Sequence, residues 1–385
     1  MPEYKKGVPF DLPKLPPKID YSVLVELLSN AHAALARLDE TLSQLHNPQL
    51  IERTFLTREA VLSSQIEGTQ ATLEEVLKQE AEQGKDIKEE NEKERDIREI
   101  INYRMAMRQG VKFIDEGQPL SENRVKELHK TLLQSVRGKT RAPGEFRRKQ
   151  VWIGSPGTPM EEARYVPPSP VLVPEMYGNF DRYLNTEDAE RDVLVQIAVS
   201  HYQFEALHPF EDGNGRVGRL IIPLFLYQRH IIAKPYLYIS KYLEEHRRDY
   251  YDLLADISYK GEWIPWIRFF LNGLCEQAKD ASNLARKIIQ LEEHYQAHLR
   301  EFNSPYAFNI LKAIFTYPII TSVRLREAAE IDNIQTGINL LAKFVKAGIL
   351  VDISPERKRN KTYAFKVLLD LIENYSPEEN KEHKK

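Results

Sequence analysis

The chain predicts a mainly α-helical fold, and three observations predict it. Apolar segments of helical character, residues 193–206 and 220–228, flank a tight glycine-containing loop. Amphipathic helical patterns fill most of the remaining length, and β-prone runs are confined to two short stretches. Residues 306–315, 321–330 and 333–347 read as three successive helices followed by a hairpin.

The elements follow in order. Residues 1–19 are proline-rich and read as an extended arm packing on the body. Residues 20–80 carry two amphipathic helices, the second holding Glu67. Residues 84–99 are a charge run, read as a solvated loop and helix start that offers no site. Helices are expected at 93–116 and 121–136. Val151, Trp152 and Ile153 form a β-prone run; Ser155-Pro156-Gly157 and a returning extended segment, Arg164 to Pro168, make a hairpin over 143–168. Core helices continue to about residue 300.

In the C-terminal part, Thr321 or Ser322 caps a short helix, and a longer one ends at Gly348. Leu350 to Ile353, a basic tip, and Thr362 to Phe365 read as a wing, so the segment resembles a winged helix-turn-helix. The expected boundaries are 1–92, 93–300, 301–372 and a charged tail, 373–385, whose last ten residues are expected to be disordered.

Composition narrows the function classes. Hydrophobic residues make up 42% of the 385 and charged residues 29%, ordinary values for a globular chain. The net charge of −3 excludes a global basic field for nucleic acid or membrane. The one cysteine, Cys275, excludes an intramolecular disulfide and fits a reducing compartment. No uninterrupted apolar run of about 18 residues predicts a membrane span. No signal-like apolar core follows Lys5-Lys6, and the expected location is cytoplasmic.

The chemistry concentrates in His208-Pro209-Phe210-Glu211-Asp212-Gly213-Asn214-Gly215-Arg216-Val217-Gly218-Arg219. Gly213, Asn214 and Gly215 permit a nest of converging N–H groups, and the next helix adds its free amides and dipole. Arg216 and Arg219 share one helix face and suit phosphate oxygens. Asp212 is a hard oxygen ligand suited to Mg²⁺, and His208 can accept a proton near neutral pH. Phe210 reads as a plug into the core. Each feature alone has an ordinary reading: a turn, a structural histidine, a solvated helix face. A turn needs no paired arginines and a solvated face needs no histidine, so the conjunction points to a nucleoside polyphosphate.

The run fills every constrained position of the signature His-x-Phe-x-Asp/Glu-Gly-Asn-Gly-Arg-x-x-Arg and so resembles the Fic family. Ile221 to Leu226, Tyr238 to Tyr242, Arg248 to Tyr251 and Trp263 to Phe270 resemble the family's continuation, and the likeness runs from about residue 10 to 290. It implies a Fic-type helical core that transfers AMP from ATP to Ser, Thr or Tyr hydroxyls of target proteins, itself included. His208 would be the general base and Asp212 the Mg²⁺ ligand. Asn214 and the nest of Gly213 and Gly215 would cradle the α-phosphate. Arg216 would hold the β- and Arg219 the γ-phosphate, with Val217 and Gly218 in the same nucleotide-binding loop. Tyr250 and Tyr251 would line the adenine. Val151, Trp152 and Ile153 would form a flap that docks the target by strand addition.

Ser63-Ser64-Gln65-Ile66-Glu67-Gly68 fits the family's inhibitory motif, Ser/Thr-x-x-x-Glu-Gly/Asn. Glu67 would pair with Arg219 and take the γ-phosphate position, with Ser63 assisting near the nucleotide and Gly68 completing the motif. A homodimer is consistent with the family. Two alternatives stand beside this reading: a Fic enzyme with another donor or one that removes AMP, and a nucleotide-sensing regulator that binds DNA through residues 301–372. The third helix carries few cations, Lys343 and Lys346, and only the wing is basic, which argues against DNA.

Overall fold

The computed structural model describes residues 7–44, 48–83, 91–134, 141–154, 157–188 and 190–373. Among them the order is α1 (Val25–Ser43), α2 (Pro48–Ile66), α3 (Leu73–Gln83), α4 (Glu92–Asp115), α5 (Glu122–Leu132) and α6 (Val173–Asn185). Then come α7 (Val193–Leu207), α8 (Asn214–Gln228), α9 (Ser240–Glu245), α10 (Arg247–Lys260) and α11 (Trp263–His298). The chain closes with α12 (Ala307–Thr316), β1 (Ile319–Thr321), α13 (Ser322–Ala328), α14 (Ile334–Lys346), β2 (Val351–Asp352), β3 (Thr362–Ala364) and α15 (Lys366–Glu373). No described helix is long and apolar enough to cross a membrane.

Two compact units result. One comprises Met1–Asp39, Leu62–Thr69 and Arg98–Ala278; the other comprises Glu40–Val61, Gln70–Ile97 and Lys279–Lys385. This departs from the linear boundaries expected at 92/93 and 300/301. The reason lies in the second unit, where α3 packs on β1. There Glu74 pairs with Lys366 at 2.7 Å, Glu82 pairs with Arg357 at 3.1 Å, and the Arg53 guanidinium lies 4.6 Å above the Tyr317 ring. An N-terminal helix therefore completes a C-terminal core, a partnership that helical periodicity does not encode.

In the first unit α7 is the central rod. It is apolar nearly all round and buried nearly throughout, as a helix enclosed by neighbours must be. Asp192 caps it by accepting from Leu194 N at 2.8 Å. α6 and α8 flank it, and Trp266 of α11, fully buried, donates from its indole to Ala198 O at 2.9 Å. The arm before α1 is extended and tied down, with Phe10 N donating to Val166 O at 3.0 Å.

Several expectations change. Residues 20–80 hold three α-helices, and α2 ends at Ile66, so Glu67 sits just beyond a helix rather than within one. The hairpin at 143–168 shrinks to one bridge, Ile153 to Tyr165, with N–H···O distances of 2.8 and 3.1 Å. Pro159, Pro167 and Pro168 have no N–H to extend the ladder. The turn at Ser155-Pro156 lies outside the described residues. In the second unit the two wing strands gain a third, giving the antiparallel order β1-β3-β2, and α15 follows where no element was expected. β1 has only three residues, too few to display alternation. The tail expected from 373 lies outside the described residues beyond Glu373.

Candidate active site

The 208–219 loop begins where α7 runs out. His208 takes the left-handed conformation, φ 48°, at a C-terminal position that glycine usually fills. A side chain there costs on the order of 1–3 kcal/mol unless the surroundings fix it. Arg147 supplies the fixing. Its Nε donates to His208 O at 2.8 Å, its Nη2 to Pro168 O at 2.5 Å, and its backbone N–H to Pro209 O at 2.9 Å. Burial lowers this guanidinium to about 10, which leaves it charged at neutral pH.

The His208 ring is thereby set for proton acceptance. Its Nδ1 lies 3.3 Å from Glu205 O, and a carbonyl can only accept, so Nδ1 carries the proton and Nε2 keeps its lone pair. Burial pushes the imidazole down to about 4, so it is neutral at pH 7.

Asn214 closes the loop. Phe210 N donates to its Oδ1 and its Nδ2 donates to Phe210 O, both at 2.9 Å. The amide spends one of its two N–H donors and one lone pair on closing the loop. Phe210 is fully buried and stacks on His129 at 3.8 Å. His129 accepts from Gly144 N at Nδ1 and donates from Nε2 to Asp212 O, each at 2.9 Å. Burial lowers its pKa to about 4, consistent with one ring nitrogen donating and the other accepting. Val217 is buried in the packing of α8.

Two glycines of α8 each admit a carboxylate. A Cβ on Gly215 would stand 2.3 Å from Glu67 Oε1, and one on Gly218 would stand 2.2 Å from Glu205 Oε1. Glu67 therefore lies over the amino end of α8, where backbone amides and the helix dipole favour an anion. Arg219, buried, donates from Nη2 to Glu67 Oε1 at 2.7 Å and to Ser63 O at 2.8 Å, and from Nε to Ser63 Oγ at 2.8 Å. Burial raises the Glu67 carboxyl, but Arg219 outweighs it and holds Glu67 below the usual carboxylate range. Ser63 thus grips the arginine. Arg247 donates from Nη2 to Ile66 O at 3.0 Å at the end of α2, and Gly68 follows with φ 98°, a value few other residues adopt.

Arg216 is committed elsewhere. It is buried and pairs with Glu99 at 2.9 Å, with Asp212 Oδ1 at 3.6 Å from its Nη2. Glu99 belongs to the charge run read as offering no site, so that reading is corrected. Asp212 is partly exposed and its Oδ1 accepts from Gly213 N at 2.6 Å. Among the described residues no cluster of three or more His, Cys, Asp or Glu is arranged to hold a metal. A cation here would depend on Asp212 plus ligand oxygens, a donor set compatible with Mg²⁺.

The tyrosine pair divides. Tyr250 is buried, with its hydroxyl 3.0 Å from His201 Nε2, and packs in the core. Tyr251 lines a cavity of about 60 Å³ with Ile153, Tyr165, Tyr202, Glu205 and Ser258. Of the expected flap residues only Ile153 reaches this cavity; Trp152 is 45% exposed and bonded to Thr158 O at 2.8 Å, and Val151 is half-buried. Glu205 Oε1 is buried with no hydrogen-bond partner among the described residues. Burial pushes its carboxyl up to about 7.

Sequence reasoning missed Glu99, His129, Arg147, Glu205 and Arg247. Glu205 had a signal, as a carboxylate in the last turn of an otherwise apolar helix. Glu99 had none, because its neighbours are charged as well.

Residues 25–112 match the family model described as "Fic/DOC family N-terminal", and residues 119–226 match "Fic/DOC family". The chain is 30% identical over 188 residues to Protein adenylyltransferase Fic of Aedes aegypti, covering 48% of this chain and 33% of that protein. It is 29% identical over 232 residues to the protein of the same name from Drosophila persimilis, covering 58% and 41%. The chain thus spans about a third to two-fifths of the length of these curated relatives. Among solved structures, a Fic family protein from Desulfovibrio desulfuricans G20 is similar with a TM-score of 0.57 at 21% identity, covering 91% of this chain and 98% of that one. A Fic domain containing signaling protein from Bacteroides thetaiotaomicron VPI-5482 is similar with a TM-score of 0.51 at 19% identity, covering 68% and 97%. These structural likenesses show a shared fold.

Proposed function

From a chain that carries a Fic/DOC family N-terminal domain and a Fic/DOC family domain as the premise, we propose a protein adenylyltransferase that moves AMP from ATP to a Ser, Thr or Tyr hydroxyl and is held back by its own Glu67. The observation that carries the reading is a neutral His208, with Nε2 unprotonated, one loop before an anion-seeking helix end whose buried Arg219 is gripped by Glu67.

The chemistry balances on these residues. The target hydroxyl oxygen attacks the α-phosphorus, and its proton goes to His208 Nε2. The bond from the α-phosphorus to the bridging oxygen breaks, and pyrophosphate leaves. The backbone amides of Asn214 and Gly215 hold the α-phosphate, joined by that of Gly213 when Asp212 turns from it to Mg²⁺. The Nη2 edge of Arg216 is assigned to the β-phosphate and Arg219 to the γ-phosphate. Asp212 would hold Mg²⁺, which when bound offsets phosphate charge. The cavity of Tyr251, Ile153 and Glu205 is assigned to the nucleoside. Residues around Val151 to Ile153 would dock the target segment.

Glu67 supplies the inhibition. One guanidinium cannot serve both its carboxylate and a γ-phosphate, so productive ATP binding requires Glu67 to leave Arg219. The helix order α12, α13, α14 with the β1-β3-β2 sheet supports a winged helix-turn-helix in the C-terminal part. A homodimer and a cytoplasmic setting complete the proposal, the latter on the lone, unpaired cysteine.

Mass spectrometry after incubation with Mg²⁺ and ATP tests it, comparing the natural chain, Glu67→Gly and His208→Ala in cell lysate. An adenylyl increment on protein, strongest with Glu67→Gly and absent with His208→Ala, is the expected result. Increments equal in all three would overturn both the base and the switch.

A further inference from the structure

The C-terminal part carries a surface that the proposed transfer chemistry does not use. α14 buries one face through Leu340, Leu341 and Phe344. A second apolar stripe then runs along its outside. Ile334 is 62% and Ile338 51% exposed, one helical turn apart, and exposed Ala342 continues the line. A helix of a folded domain normally keeps one apolar face and turns the other, polar, to water. Two apolar stripes mean that the outer one awaits a partner.

The stripe forms the floor of a groove. Val323 of α13, 45% exposed, faces it, and the β2–β3 hairpin forms the other wall, enclosing a cavity of about 700 Å³. The stem of Arg326 lies across α14 at Gly337, within 3.5 Å of where a Cβ would be. The rim is basic: Arg326, Lys346, Lys358, Arg359 and Lys361 line the groove with one acid, Asp352. Asp352 is already paired with Lys361 at 2.5 Å. The other four cations therefore meet no carboxylate within the groove.

We propose that this groove docks an acidic amphipathic helix of a partner protein, with apolar side chains on Ile334 and Ile338 and carboxylates against the basic rim. Apolar floor and basic rim match the two faces of such a helix. Duplex DNA would match the rim and the polar Gln335, Thr336 and Asn339 of α14, but it leaves the aliphatic stripe without a continuous apolar partner. The first turn of α14, where a recognition helix reaches base edges, holds Ile334 and has no cation. An aliphatic side chain there finds only thymine methyls to contact. Of the two helix cations, Lys343 is bonded to Phe302 O at 2.9 Å.

The test needs no transfer activity, so it stands apart from the adenylyltransferase reading. The full chain is immobilised and panned with a display library of random peptides spanning about four helical turns. The enriched peptide is then titrated against the natural chain, Ile338→Asp, Ile334→Asp and Lys358→Glu, with thermal melts confirming that each exposed-site variant folds. The expected result is enrichment of Asp/Glu-rich sequences with apolar residues at i and i+4. Their affinity should fall about tenfold with either aspartate, and several-fold with Lys358→Glu or added salt. No consensus, a basic or neutral consensus, or binding indifferent to both aspartates overturns the proposal. A mixed-sequence DNA duplex that displaces the peptide, and whose own binding is lost with Lys358→Glu, assigns the face to nucleic acid and overturns it equally.

Discussion

On the Gly215 side of α8 a carboxylate is bonded to a cation; on the Gly218 side a carboxylate oxygen is buried without a hydrogen bond. Glu67 and Glu205 approach the same helix through gaps left by two glycines one turn apart. Glu67 meets Arg219 at 2.7 Å and is held below the usual carboxylate range. Glu205 keeps an unpartnered buried oxygen and is pushed up to about 7. Chemically identical side chains thus hold opposite charge preferences: Arg219 hydrogen-bonds Glu67 directly, while at Glu205 burial outweighs the attraction of the same guanidinium. Glu67 is fit to compete with an anion. Glu205 is fit to hold or release a proton near neutral pH.

The largest expected effect lies at His208. His208→Ala should lower adenylyl transfer by about 10²–10⁴-fold while leaving nucleotide affinity nearly unchanged, measured by single-turnover rates beside equilibrium titration. A parallel loss of nucleotide binding would remove His208 from the general-base role. Next comes the most buried version of the Glu67 contact. Glu99→Ala strands Arg216 as a buried unpaired cation and should destabilise the fold by about 3–5 kcal/mol, read from denaturant midpoints. An unchanged midpoint would mean that Asp212 takes over as partner.

Glu67→Gly follows. It frees Arg219 and should raise transfer about ten- to a hundredfold, equivalent to the roughly 1.5–3 kcal/mol of a hydrogen bond to a charged group. A rate equal to the natural chain's would make the ion pair structural only. Smallest is Glu205→Gln, seen through pH. The folded-state pKa is raised above the unfolded value, so between about pH 4.5 and 7 the folded chain binds more protons. Stability from this group is therefore lost as pH rises across that window, by at most about 1.4 kcal/mol per unit. Glu205→Gln should flatten that slope in thermal melts from pH 5 to 8; an unaltered slope would show that Glu205 carries an ordinary pKa.

The legibility of the sequence varied with how local the cause was. The α7–loop–α8 frame was readable because an apolar run, a glycine pair and another apolar run are contiguous. The cap at Thr321 and the stop at Gly348 were readable for the same reason. The position of Glu67 was misjudged by a single residue, because helix ends depend on contacts such as Arg247 to Ile66 O. Tyr250 and Tyr251 looked alike in the sequence; only packing against His201 sends one into the core and leaves the other at a cavity.

The sequence by itself determined the parts of the site: which residue can accept a proton, which can bind an anion, and where glycine lets the backbone turn. Those properties belong to residue types and short spacings. Tertiary structure alone decided the pairings, Arg219 with Glu67, Arg216 with Glu99, Arg147 with the His208 turn, and α3 with the C-terminal sheet. A charge acquires its partner and its pKa only when distant segments exclude water around it, and chain order carries no record of that distance.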